Sequence, residues 1–224
     1  SVKTIFTHGT VFRGGISWDC KNLNEVSRII MGQSPDSSSY NEDGIGYPFL
    51  QGCAEFGNKY PKPKIACSAP TKISPKESIL ISVRAPVGDI NLSNTTYCIG
   101  RGLASIVPES VDKLFLYNYI KLHRNKLEKV SQGSTFSAIG SKELYNFKLL
   151  TPPLPEQQKI AEVLTTIDNV IEKTEQLIEK LKSIKKGLMQ DLFTRGVTPD
   201  GKLRPAPEDA PELYKESKLG LIPK

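Results

Sequence analysis

From Glu156 to Phe193 the chain runs without a proline, and Gly187 is its only glycine. Over that stretch apolar residues recur at helical spacing for almost five heptads. In one frame, position a holds Ile160, Ile167, Thr174, Leu181 and Leu188. Position d holds Val163, Val170, Leu177, Ile184 and Asp191, and e holds Leu164, Ile171, Ile178, Lys185 and Leu192. The other positions are largely Glu, Lys, Gln and Asn. The stripe is wider than a bare two-stranded seam. At ~1.5 Å per residue the helix should run about 55 Å. Such a face cannot stay unburied, and the residues after it, Arg195 to Lys224, are rich in Pro, Gly and charge. The stripe therefore calls for a second, similar helix, from another copy of the chain or from a partner. Its expected pairing residues are Ile160, Val163, Leu164, Ile167, Val170, Ile171, Leu177, Ile178, Leu181, Ile184 and Leu188.

The pattern changes at Thr151-Pro152-Pro153-Leu154-Pro155. Before it, short apolar runs such as Tyr47–Leu50, Ser78–Val83 and Leu103–Val107 are bounded by Gly, Pro, Asn and Ser, and read as strands. Two helices interrupt them. One covers roughly Val111 to Val130, and a shorter one starts near Gly140, where Ser141 can cap the following turn. The expected fold is α+β: a mixed domain with a twisted sheet over 1–151, then one long coiled-coil-forming helix over 152–196. Residues 197–224 read as an extended tail, with a turn at Thr198–Lys202 and a proline-rich linker from Pro205 to Pro211.

Charge is unevenly spread. Residues 1–151 hold 18 Lys+Arg against 12 Asp+Glu, whereas residues 152–224 hold 12 of each. The whole net charge of +6 thus lies in the first domain, which suits a polyanion partner. No apolar run is long enough to span a membrane and no secretory leader is visible, so a cytoplasmic location is expected. The four cysteines, Cys20, Cys53, Cys67 and Cys98, lie 33, 14 and 31 residues apart, too far for the paired ligands of a zinc site. They read as free, mostly buried thiols. There is no phosphate-binding loop, no nucleophile elbow and no H-E-x-x-H, and Gly44-Ile45-Gly46 reads as a turn. A non-enzyme is expected.

What remains is a set of polar loops. Met31–Tyr40 carries Gln33 and Ser34, able to contact base edges or phosphate. Asn58–Lys64 packs Lys59, Lys62 and Lys64 with a tyrosine into a proline-stiffened loop that can follow a phosphate backbone. Arg84 and Arg101 sit beside turn residues. Gln132 and Thr135 lie in a further polar loop. The DNA-contact candidates are therefore Gln33, Ser34, Lys59, Lys62, Lys64, Arg84, Arg101, Gln132 and Thr135. The plain alternative has Arg84 or Arg101 neutralised by Asp89 or Glu55 in solvated turns.

Several segments occur in a telling order: Trp18…Leu23-x-Glu-Val26, Met31-Gly-Gln-Ser-Pro35, Gln51-Gly-x-Ala-Glu-Phe-Gly57, Ile81–Asp89, Cys98-Ile-Gly-Arg-Gly-Leu-Ala104, Gly133–Phe136 and Leu150–Ala161. Together they resemble a target-recognition domain of the DNA-specificity subunits of type I restriction–modification systems. The long helix with Leu188–Gly196 resembles that family's helical spacer. The resemblance implies double-stranded DNA reading without catalysis, and spacer helices that pair antiparallel as a ruler. It also implies methyltransferase subunits and a translocase–nuclease subunit as partners. The cofactors S-adenosylmethionine, ATP and Mg would sit on those partners only. Full-size members carry two recognition domains and two spacers, and this chain carries one of each. A half-size or truncated subunit is expected, completed by homodimerisation about a two-fold axis and reading a bipartite inverted repeat. The alternative is a truncated coiled-coil adaptor that binds methyltransferase subunits without reading DNA.

Overall fold

The computed structural model describes residues 6–7, 10–13, 16–132, 138–218 and 220–224. They fall into two units, Ser1–Thr165 and Thr166–Lys224. The first is built on a four-stranded antiparallel sheet in the order Ile90–Leu92, Ile79–Ser82, Leu103–Pro108, Ser27–Met31. Its strand Ile79–Ser82 is buried on both faces. Successive side chains of a strand point opposite ways, so Ile79 and Ile81 enter one apolar core while Leu80 enters another. The neighbouring strand divides likewise, with Ala104 and Ile106 on one side and Leu103 on the other. Burial on both sides is why Ile79–Ile81, within Ser78–Val83, is apolar at every position instead of alternating.

Helix Lys113–Leu122 fills the first core with Phe115, Leu116 and Ile120. The second core is closed by a five-stranded sheet in the order Tyr40–Asn41, Ile65–Cys67, Tyr47–Leu50, Tyr97–Ile99, Ile73–Ser74. That sheet is mixed, because Tyr47–Leu50 and Tyr97–Ile99 run parallel. A third, antiparallel sheet joins Phe6–Thr7, Thr10–Arg13, Ile16–Asn22 and Lys148–Thr151. The α+β class is as expected.

Three local expectations change. The helix expected over Val111–Val130 is two, Lys113–Leu122 and Arg124–Gln132. At His123 the backbone N–H is shared between the Tyr119 and Ile120 carbonyls, and the ladder restarts. Ser141 is not a cap: Gly140 precedes the helix Ser141–Tyr145, which has no side-chain cap. Residues 197–224 are folded rather than extended. Val197 bridges Leu203 around a turn with Gly201 at φ +80°, and Tyr214–Ser217 pairs with Gly220–Pro223 as a hairpin. The physical reason is Tyr214, whose ring is buried and whose hydroxyl donates to the Pro205 carbonyl at 2.5 Å. That bond pulls the proline-rich stretch back on itself.

The long helix is continuous over Leu154–Arg195. Its first turns belong to the first unit. Gln157 is buried, accepts from the Asp112 N–H at 2.8 Å and donates to the Pro152 carbonyl at 2.8 Å. It ends at Gly196, whose left-handed φ of +68° lets its N–H reach the Leu192 carbonyl at 3.0 Å.

Candidate nucleic-acid interface

Loops far apart in sequence converge in the first unit. Gln33 N–H donates to the Ile99 carbonyl at 3.0 Å, which lays the Gln33–Ser34 segment beside Gly100–Gly102. The Ser34 hydroxyl accepts from the Arg101 N–H at 3.3 Å and from the Gln51 side-chain amide at 3.0 Å. Gly100 N–H donates to the Leu50 carbonyl at 2.7 Å. Gly32 has no room for a side chain, since a Cβ there would strike the Gly100 carbonyl oxygen. Cys67 and Cys98 pack with Phe49 in a small core of the five-stranded sheet and are both fully buried. Burial beside Cys67 pushes the Cys98 thiol up to about 12. Two hydroxyls of Ser37–Ser39 are already used, because Asp36 accepts from the Ser38 N–H at 2.9 Å and from its hydroxyl at 2.7 Å, and the Ser39 hydroxyl donates to the Asp36 carbonyl at 2.6 Å. The Ser38 bonds hold the Asp36 carboxyl below its ordinary value.

The Arg84 loop joins the same surface through Val83 N–H, which donates to the Gly102 carbonyl at 2.9 Å. Ser82 locks the loop, donating to the Pro86 carbonyl at 2.5 Å and accepting from the Asp89 N–H at 3.0 Å. Asp89 is paired by Arg124, which also holds Glu128 at 2.7 Å. Glu55 accepts from the Gly52 N–H at 3.2 Å. Among the described residues, Arg84 and Arg101 make no ion pair, and both are exposed. Neither arginine is paired with Asp89 or Glu55. Arg84 also bridges Ala138, at the edge of the segment that carries the last two candidates. Thr135 and the Gln132 side chain lie outside the described residues.

The lysine loop is clamped at its base by buried Asn91, which accepts from the Gly57 N–H and donates to its carbonyl, both at 3.0 Å. Lys62 N–H donates to the Glu55 carbonyl at 2.7 Å, tying this loop to the Gln51–Gly57 segment. Lys62 and Lys64 are exposed, and the Lys59 ammonium lies 5.8 Å from the centre of the half-exposed Tyr60 ring. Seven of the nine candidates thus fall on loops linked to one another by hydrogen bonds.

Residues 16–183 match the family described as the type I restriction modification DNA specificity domain. The chain belongs to this family. It is 44% identical over 201 residues to a putative type I restriction enzyme MjaX specificity subunit of Methanocaldococcus jannaschii, covering 86% of this chain and 47% of that one. It also resembles the HsdS subunit of Thermoanaerobacter tengcongensis, with 39% identity and a TM-score of 0.66 over 84% of this chain and 47% of that one. A chain from a study of assembly and conformational transition in a type I system matches at 42% identity and TM-score 0.70, covering 83% of this chain and 46% of that one. The chain spans about half the length of these relatives.

In this specificity-domain chain, Gln51 is the member of the converging set that pattern reasoning passes over. Its one signal is its place in the Gln51–Gly57 segment. The second candidate surface is the helix. From Val163 to Leu188 the ten predicted pairing residues beyond Ile160 are 39–57% exposed, a high value for a continuous apolar stripe. Ile160 instead packs partly buried against the core of the first unit. The charges are polarised as well. Residues 154–179 hold six carboxylates and two lysines, whereas residues 180–195 hold five cations and one carboxylate. Among the described residues no group of three or more His, Cys, Asp or Glu is placed to hold a metal ion, and no described helix is long and apolar enough to cross a membrane.

Proposed function

We propose that this chain is the sequence-reading part of a type I restriction–modification complex, with residues 1–151 as recognition domain and 152–196 as spacer. The observation that carries the reading is the pair of exposed guanidiniums, Arg84 and Arg101, which make no ion pair among the described residues and lie on the same linked loops as Ser34 and the lysine loop. Such groups supply phosphate and base-edge contacts. In this reading the chain itself catalyses nothing. Methyltransferase subunits dock on it and bring the S-adenosylmethionine chemistry, and a translocase–nuclease subunit joins for cleavage.

The helix supports a second copy of the chain as the missing half. An antiparallel pair sets the acidic half of each helix against the basic half of its mate, whereas a parallel pair sets like against like. Two recognition domains related by a two-fold axis then read an inverted repeat. The test is a methylome. The chain is expressed with its cognate methyltransferase subunit in a host lacking other DNA methylation, and modified bases are mapped genome-wide. The expected result is a bipartite inverted-repeat motif. A soluble complex that leaves no motif would overturn the reading in favour of an adaptor without DNA recognition.

A further inference from the structure

The two exposed arginines do not stand at independent positions. The ladder between Ile79–Ser82 and Leu103–Pro108 pairs Ile79 with Ile106 and Ser82 with Leu103. Val83 N–H extends it one step, donating to the Gly102 carbonyl at 2.9 Å. The next step in that register sets Arg84 across from Arg101. Both places are fixed by backbone. The Val83 carbonyl accepts from the Ile139 N–H at 2.9 Å and Arg84 bridges Ala138, so this strand end is held on both edges. Arg101 stands between two glycines that lie against Gln51. A Cβ on Gly100 would be 3.0 Å from the Gln51 Cα, and one on Gly102 would be 2.7 Å from its carbonyl oxygen. The Arg101 N–H is itself tied to Ser34 Oγ at 3.3 Å.

Like charges opposite one another on neighbouring strands are destabilising. The carboxylates of the adjoining segments, which could relieve the pair, are engaged elsewhere: Asp89 by Arg124, and Glu55 by the Gly52 N–H at 3.2 Å. Among the described residues neither guanidinium has an ion pair, and both are exposed. Two forks of N–H donors with no acceptor between them suit one anion with several oxygens. A guanine edge takes a single guanidinium and carries no charge, so it would leave the repulsion in place. A backbone phosphate takes both and removes it.

We propose that Arg84 and Arg101 form one clamp on a single phosphate of the duplex. The inference rests on the DNA-reading function proposed above and adds that these two residues act as a unit on one group. The experiment titrates the full chain with random-sequence duplex at several salt concentrations. R84A, R101A and R84A/R101A are compared with K62A and R84A/K62A. The variants are also melted, together with R84Q and R101Q, which keep most of the stem and take over the cycle if an alanine variant does not fold.

Each single arginine replacement should weaken binding about tenfold. The double should be little worse than either, with the salt slope reduced by about one instead of two. R84A/K62A should instead multiply the separate losses, as distant contacts do. Losses that multiply in R84A/R101A, with the slope lower by about two, put the arginines on separate phosphates and overturn the clamp while leaving the wider reading standing. An altered base preference among duplexes selected from the same pool by either single variant does the same, since it makes that arginine a base reader. A lower melting temperature in R84Q or R101Q means the charges are already compensated within the fold, which also overturns the clamp. A wild type whose affinity for duplex does not respond to salt overturns both.

Discussion

At the residue scale the first unit separates groups that hold loops from groups left over for a partner. Asn91 is of the first kind. Replacing it with alanine strands the buried N–H and carbonyl of Gly57, which should cost about 1–3 kcal/mol. A lowered midpoint in chemical denaturation, together with faster proteolysis within Asn58–Lys64, would show it. Lys62 is of the second kind. Its replacement should weaken binding to every duplex alike and reduce the salt slope by about one, as read by titrations at several salt concentrations. The cysteines divide similarly. Cys98, with its thiol pushed up to about 12, and Cys67 are buried, whereas Cys20 is exposed and Cys53 half-exposed. A thiol reagent at pH 8 should therefore label no more than two of the four native thiols, and all of them after unfolding. Lys62 and the two arginines were legible in the sequence because charge beside turn residues is a local signal. The placement of Gln51 was not, since its contacts with Ser34, Gly100 and Gly102 join positions far apart in sequence. The neutralisation of Asp89 by Arg124 instead of Arg84 was hidden for the same reason.

At the element scale the long helix was the easiest part to foresee, because apolar spacing near 3.6 residues, sustained over many turns, fits a helix and little else. Its neighbours were harder. Nothing in the pattern of Val111–Val130 marks the break at His123, and the folded tail depends on one tyrosine reaching back to Pro205. The helix also makes its own predictions. Leu181→Glu places a carboxylate in the stripe and should abolish self-association in sedimentation velocity while leaving the melting of the first unit unchanged. Adding one heptad lengthens the helix by about 10 Å, or ~3 base pairs at ~3.4 Å each. The gap between half-sites in the methylome should grow accordingly while the bases read stay the same. A four-residue insertion turns the stripe out of register and should instead weaken pairing. An unchanged gap after the heptad insertion would rule out the ruler.

At the scale of the whole molecule, the chain spans about half of the length of the related subunits. In the two-fold pair proposed above the same surface is used twice, so the site it reads would be symmetric. Salt should govern its affinity for non-specific duplex, because the net charge of +6 resides in the domain that carries the converging loops. About a hundredfold weakening between 50 and 200 mM salt is expected, and a flat response would remove DNA from the account. One further consequence follows from the strand Ile79–Ser82, which has a strand on either edge and an apolar core on either face. No local fluctuation can bring its amides to water without opening the sheet and both cores together. Deuterium should therefore enter those amides last, at a rate set by the unfolding of the entire unit. Loop variants that alter only base preference should leave that slow exchange unmoved, so the domain can change what it reads without changing how long it lasts.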